Sequence, residues 1–476
     1  MSASDDHYRL PLVADFSKRL NEADAMFIAV SDAGGVPYAP VTIGVSERPL
    51  DPEVRAHLTE IRMRILPAMG SRIAEDPVST ALPRWVPVRD FHPYDNVLFL
   101  PPPGDGSMRA VLDWAARWAQ QPFPKDKPPW RAVYFEDMTV DGEPGRVVMV
   151  SQTHHAVIDG QGGRRLGERI VQYERDAPLP ELPPPLPEDT TTAWDRWKEG
   201  WAHEGHKLAT GLRNNAARAR WAAKHPRAGA KRARELGTAV RRMLSHQGTT
   251  GQSSLLRRKS DEMRFDWIEI DFDGLKRGTK SLGGTVNAGF MAALSVGLHQ
   301  YHLDHGAVAS SLRTAMAINT RTDKHGDTGN EVIGVMLPMP LCDDPATAIK
   351  LCGEMAREHR ADDDVLFVID RFRAFANRLP KRIVGPMTRR TMSGVDLQIS
   401  NVAGNPRRTY FGGVASLKGV ALPVGGLSAL AITMVSHGGR ADVGIVSDKV
   451  ALPDGDLLVR RIQEGFDAVA ALAPPP

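Results

Sequence analysis

Cysteine is nearly absent from this 476-residue chain: only Cys342 and Cys352 occur. Two cysteines exclude a disulfide scaffold, and they are too few for a thiolate metal centre, which takes three or four ligands. A reducing cytosol is the expected compartment. The opening MSASDDHYRL is acidic and polar and lacks the basic-then-apolar order of a signal peptide. Glycine periodicity and sustained heptads are missing too, which excludes collagen-like and coiled-coil chains. No G-x-S-x-G elbow, H-E-x-x-H helix or G-x-x-x-x-G-K-[ST] loop is present, so the usual serine hydrolases, zinc proteases and P-loop enzymes are disfavoured. Long hydrophobic runs are scarce. The one stretch of membrane-spanning length without formal charge, Gly419–Gly439, is broken by Pro423, Gly425, Gly426 and several hydroxyl residues. It reads as two buried strands, about 414–422 and 427–435, joined by a Pro/Gly turn.

What is present is ordinary in bulk: 42% apolar and 25% charged residues, enough for a large core and two or three domains. The net charge of +3 conceals an asymmetry. Residues 195–260 carry sixteen Lys and Arg against four acids, which leaves the rest of the chain at −9. At the start of this segment Trp194, Trp197, Trp201, Leu208 and Leu212 recur on one helical face. The pattern predicts a basic amphipathic helix. It continues toward Met243 with an interruption at His225-Pro226.

The chain divides into three parts. Residues 1–180 mix helical runs (54–66, 111–120) with strand-like ones (131–135, 146–152) and end at PLPELPPPLP, a stiff proline-rich spacer. Residues 181–262 hold the spacer and the basic helical crossover. Residues 263–476 alternate strands (267–272, 332–341, 397–402) with helices (286–302, 346–360, 456–471). Two mixed α/β units joined by the crossover are expected.

The most informative string is RVVMVSQTHHAVIDGQGGRRLGERI. A strand ends at Gln152, a helix begins near Gly163, and the loop between holds His154, His155, Asp159 and Gly160. Histidine is the side chain best poised to take a proton at neutral pH. Glycines such as Gly160 permit close backbone approaches. Three other uses of these residues stay open: a metal site, a phosphate cradle at the helix start, and a buried histidine pair with purely structural bonds. Adjacent histidines on a strand point to opposite faces, which disfavours a shared metal.

HHAVIDG resembles the H-H-x-x-x-D-G motif of the bacterial wax ester synthase/diacylglycerol acyltransferase family. Further resemblances keep their order along the chain: Asp24-Ala25-Met26-Phe27-Ile28, Pro128-Pro129-Trp130, Thr285-Val286-Asn287, Gly329-Asn330 with Met336-Leu337-Pro338, and Ser400-Asn401-Val402-Ala403-Gly404. The resemblance implies an α/β fold of two similar chloramphenicol-acetyltransferase-like halves with a tunnel between them. It implies His155 as general base toward an acceptor hydroxyl, with His154 and Asp159 shaping the site. A backbone N–H of the glycine-rich loop or Asn287 would support the oxyanion, and Gly160, Asn287, Arg321, Ser400 and Asn401 are the expected substrate-binding or supporting residues. Arg321 is expected to pair with Asp159, or else to be a solvated loop charge. Asn287 is alternatively a helix-starting residue. Three departures stand out: Ala288 where the family has Asp, Pro129 where it has Leu, and Ala403 where it has Pro.

The implied activity is transfer of a long-chain acyl group from acyl-CoA, as substrate and without a cofactor, to diacylglycerol or a fatty alcohol. Transfer from a carrier protein, and a non-catalytic lipid-binding relative, are the alternatives. The basic crossover, 194–242, suggests peripheral attachment to an anionic membrane face or lipid droplet from the cytoplasm. Packing of its tryptophans on the protein's own core is the competing reading. No nucleic-acid motif accompanies the cations, so no nucleic-acid partner is expected.

Overall fold

The computed structural model describes residues 19–75, 82–158, 160–184, 191–248, 253–319, 332–358, 385–386, 394–424 and 428–474. The first unit holds helices α1 (Glu22–Gly34), α2 (Pro52–Ile65), α3 (Met108–Trp118) and α4 (Gly160–Ile170). Its strands are β1 (Val41–Ser46), β2 (Ser71–Ala74), β3 (Arg84–Pro87), β4 (Val97–Leu100), β5 (Trp130–Val140) and β6 (Glu143–Thr153). Two long helices follow, α5 (Ala193–Lys224) and α6 (Pro226–Gly248). The last unit holds β7 (Met263–Ile270), α7 (Phe272–Ser281), α8 (Val286–Asp304), β8 (Ser311–Asn319), β9 (Val332–Pro340) and α9 (Pro345–Glu358). It ends with β10 (Leu397–Ala403), β11 (Tyr410–Phe411), β12 (Val414–Leu422), β13 (Leu430–His437), β14 (Arg440–Asp448) and α10 (Gly455–Ala470).

Two six-stranded sheets organise the chain. One runs β11-β12-β1-β6-β5-β4, the other β7-β14-β13-β10-β8-β9, and β2-β3 is a separate small ribbon. Valine and isoleucine alternate on β1 (Val41, Ile43, Val45), and these side chains are buried under the α3 face that presents Val111, Leu112 and Ala115. The second sheet is covered by α8 and α10. Phe290, Leu294 and Leu298 of α8 meet Leu458, Ile462 and Phe466 of α10 over Leu397, Ile399 and Ile432.

One expectation needs correcting. The strands expected at 414–422 and 427–435, as neighbours across a turn, are found at 414–422 and 430–437 and belong to different sheets. β12 pairs antiparallel with β1, with Ile43 opposite Val420, while β13 lies parallel to β10. Residue number therefore does not divide the sheets: the N-terminal sheet is completed by two strands from beyond residue 409. The physical reason is pairing capacity. β1 offers a second edge that no N-terminal strand fills, and alternation cannot say which edge a strand will join.

β12 also carries the seam between the sheets. A Cβ placed on Gly444 of β14 would sit 2.3 Å from the Ala421 carbonyl oxygen and 2.8 Å from Val420 Cγ2. Only a residue without a side chain allows this approach. Phe265, Ala431 and Val446 from the C-terminal sheet share one core with Val420 and Leu422.

The crossover is helical as expected, with α5 capped by a Thr192–Asp195 capping box and ended at His225 before Pro226. Among the described residues, no single helix is long and apolar enough to cross a membrane.

A methyl group at the seam should be felt at once. Gly444→Ala is expected to lower unfolding stability by about 1–3 kcal/mol through overpacking against β12. The urea midpoint of the purified variant measures this.

Candidate active site

The two histidines follow β6 directly. Thr153, the last residue of β6, pairs with Trp130, and the chain then turns through His154–Val157. The turn is held from three sides. The Pro129 carbonyl accepts from His154 N–H at 2.9 Å, and the Tyr38 carbonyl accepts from His155 N–H at 3.0 Å. The His154 carbonyl in turn accepts from Val157 N–H at 2.8 Å. Ala156 and Val157 are buried with Ile28, Met69, Trp85 and Trp130, so the apolar residues after the histidines anchor the turn in a small core. Pro128-Pro129-Trp130 is thereby explained. Asn96 Nδ2 donates to the carbonyls of Pro128 and Trp130, Trp130 Nε1 donates to the Met69 carbonyl, and the segment presents its Pro129 carbonyl to His154.

The adjacent rings have opposite fates. His154 is buried, and both of its ring nitrogens are engaged. Nδ1 accepts from Ala156 N–H at 3.1 Å, which fixes the ring proton on Nε2; Nε2 then donates to Ser31 Oγ at 2.9 Å. Ser31 also accepts from Tyr38 N–H at 2.8 Å and donates to the Phe27 carbonyl at 2.9 Å. Burial, reinforced by the neighbouring His155, pushes the His154 pKa down to about 3. His154 is a neutral structural imidazole without a lone pair to offer. Behind it, Phe123 approaches edge-on at 6.3 Å, and Arg131 stacks on Phe123 and Trp118 while bonding Gln152.

His155 points the other way, into an aromatic bracket. Its ring lies 4.9 Å from Phe27 and 5.6 Å from Tyr38, and those two rings stack on each other at 4.9 Å. Phe27 and Ser31 are four residues apart on α1, so one helical face holds both histidines: one by its ring, the other by its hydroxyl.

The bracket extends into the other half. The Tyr38 phenol, raised in pKa by burial, hydrogen-bonds the Gln398 side chain on β10. Gln398 and Ser400 alternate with buried Leu397 and Ile399, so they face away from the α8 layer. Asn401 is on the α8 side, where its Nδ2 donates to Asn287 Oδ1 at 2.6 Å. Asn287 and Asn401, 114 positions apart in the chain, are thus joined, while Ser400 faces the opposite side of the same strand. Asn287 is not the helix cap: Thr285 is, through Ala288 N–H. Ala288 is buried, packed toward Gly353 of α9. Gly160 opens α4. Asp159 and Arg321 lie outside the described residues, and so does the pair they were expected to form. Ser31, Tyr38 and Gln398 were not singled out from sequence. The signal available for Ser31 was its spacing from Phe27; none existed for Gln398.

Residues 20–289 match the family model described as wax ester synthase/diacylglycerol acyltransferase catalytic domain, and residues 328–470 match the WS/DGAT C-terminal domain. A putative diacylglycerol O-acyltransferase of Mycobacterium tuberculosis is 30% identical over 413 residues, covering 85% of this chain and 82% of the relative. The O-acyltransferase WSD of Acinetobacter baylyi is 23% identical over 376 residues, covering 76% and 78%. In fold, the chain is similar to the wax ester synthase/diacylglycerol acyltransferase of Marinobacter aquaeolei VT8 (TM-score 0.63, 14% identity, 96% and 99% covered). It is also similar to the first condensation domain of the CDA synthetase (TM-score 0.56, 16% identity, 96% of each chain). The expected fold class is the one found.

The depressed pKa of His154 has a stability consequence. Between pH 6.5 and about 3 the unfolded chain binds a proton at this position that the folded chain does not, so stability falls as pH drops through that range. His154→Gln should lower stability overall but flatten this slope, by up to about 1.4 kcal/mol per pH unit. Urea melts of both proteins between pH 4.5 and 6.5 read the difference.

Proposed function

From the premise that the chain belongs to the wax ester synthase/diacylglycerol acyltransferase family, we propose that it transfers an acyl group from acyl-CoA to a lipid alcohol with His155 as the base. The observation that carries the assignment is the complete engagement of His154. With both ring nitrogens committed and its pKa near 3, His154 cannot accept a proton at neutral pH. His155 is the remaining imidazole of the motif. Its backbone is pinned by Tyr38 and its ring is bracketed by Phe27 and Tyr38, so its orientation is set before substrate arrives. In this reading His155 takes the proton of the acceptor hydroxyl as the oxygen attacks the thioester carbonyl. The tetrahedral oxyanion is met by a donor of the glycine-rich loop, and collapse expels the CoA thiolate, to which the proton returns. Diacylglycerol and fatty alcohols are the acceptor classes. The acyl chain would lie in the tunnel between the halves.

Peripheral attachment to a membrane belongs to the same proposal. The side of α5 that faces the protein is Arg196, Gly200, Glu204 and Lys207; the tryptophan stripe stands beside it in the open. Trp194 is 61% exposed, Trp201 56%, Leu208 66% and Leu212 63%, so the reading that they pack on the protein's own core is not met. Lys198, Arg213, Arg220 and Lys224 border the stripe. An apolar strip edged with cations suits the anionic inner face of a membrane or a lipid droplet. Lys207 bonds Glu22 at the first residue of α1 at 2.7 Å, so the proposed docking helix touches the helix that holds both histidines.

Two measurements test the reading. Purified protein given acyl-CoA and a panel of alcohols should release CoA and form ester, and His155→Ala should lower the rate about 10²–10⁴-fold. Full activity of that variant removes His155 from the role, and release with no alcohol, or only from acyl-carrier protein, removes the substrate assignment. Trp194→Ala/Trp197→Ala/Trp201→Ala should reduce co-sedimentation with anionic vesicles at least about tenfold, because each tryptophan contributes large interfacial area.

A further inference from the structure

A cavity of about 380 Å³ lies between the β2-β3 ribbon, the loop after α3 and the first turn of α5. Its charged lining is lopsided: Arg72, Arg84, Lys125 and Arg196 against the single carboxylate of Glu75. Arg84 is 3% exposed, and its Nη2 donates to Glu199 at 2.7 Å. Its Nη1 is buried without an acceptor among the described residues. Because Nη1 has almost no accessible surface, Arg84 adds its charge to the cavity wall, and the donors open to an anion are those of Arg72, Lys125 and Arg196. Arg196 spends one N–H on the Thr191 carbonyl. No ion pair is formed by Arg72 or Lys125 among the described residues. The α5 amide ends are already capped by Thr192, so the recognition here is by side chains rather than by the helix terminus.

One loop links the cavity to the buried, His154 side of the histidine turn. Lys125 is two residues beyond Phe123, whose ring meets His154 at 6.3 Å. The same short loop therefore borders both places.

We infer that this cavity binds the phosphates of the acyl donor, the 3′-phosphoadenosine 5′-diphosphate end of acyl-CoA. The inference rests on the acyl-CoA reading above. The chemistry is that of several phosphate groups held close together. The guanidinium forks of Arg72 and Arg196 match phosphate oxygens, Arg84 adds positive charge from behind, and Lys125 adds a mobile point charge. The flexible pantetheine arm then carries the thioester from the cavity, past the Phe123 loop, to the turn that bears His155. A phospholipid headgroup offers the same phosphate chemistry, and α5 is the proposed membrane element, so the experiment separates the two sources.

The variant is Arg72→Gln/Lys125→Gln, chosen because neither side chain is buried. With acyl-CoA and acyl-pantetheine as alternative donors, the wild-type preference in kcat/KM for acyl-CoA should fall about a hundredfold, carried by KM. This is about tenfold for each charge-assisted hydrogen bond removed. Calorimetry with adenosine 3′,5′-bisphosphate should show binding to the wild type and a matching weakening in the variant. An unchanged donor preference overturns the proposal. So does a variant that keeps the preference but no longer sediments with phosphatidic acid vesicles, which would make the anion a lipid headgroup. If the wild type transfers from neither donor, the acyl-transfer reading fails, and calorimetry alone judges the cavity: no adenosine 3′,5′-bisphosphate bound overturns it.

Discussion

The hydrogen bond from His154 Nε2 to Ser31 Oγ is the interaction on which the site depends. Two adjacent residues leaving a strand must point to opposite sides. If the inward ring were loose, nothing would decide which imidazole turns inward. Ser31 decides it by closing a ring of bonds: it accepts from His154 and from Tyr38 N–H, and it donates to Phe27 within its own helix. Two of these partners, Phe27 and Tyr38, also define the outward side, since they flank His155. The anchored ring of His154 and the bracketed ring of His155 are two ends of one arrangement. A fully satisfied polar network of this kind specifies geometry more than it adds stability.

The two halves contribute unlike things to that arrangement. The N-terminal half supplies the turn, its apolar anchor and the bracket. The C-terminal half supplies Gln398 beneath the Tyr38 phenol and the Asn401–Asn287 pair at the start of α8. Ala288 explains how the chain departs from its family's pattern without disturbing the helix start. The position is a buried methyl against α9, and the Thr285 cap reaches its N–H whatever the side chain. Asn287, one residue earlier, stays exposed and bonded.

Local structure was largely legible in the sequence because it is written in periodicity. The strand at 414–422 has the observed bounds, and the helices at 54–66, 286–302 and 456–471 are displaced by at most a few residues. The break at His225-Pro226 is where proline forbids continuation. The motifs located the turn, and the tryptophan spacing located the exposed stripe. Long-range pairing was not legible. Nothing in Val414–Leu422 says that it will lie beside Val41–Ser46 rather than beside the strand that follows it, because both choices bury the same side chains. Ser31 and Gln398 were hidden for a related reason: their meaning comes from what they touch across the fold, and single polar residues on regular elements carry no pattern of their own.

The placement of β12 has a consequence for how the chain comes into being. During synthesis β1 emerges early, yet its outer edge and the valine face beside it wait for residues 414–422. At about 5–20 residues per second this delay is on the order of tens of seconds. Through that interval an apolar sheet edge is open to other nascent chains. Synthesis of β12 therefore completes the first sheet, and a chain cut short anywhere before it leaves both sheets unfinished.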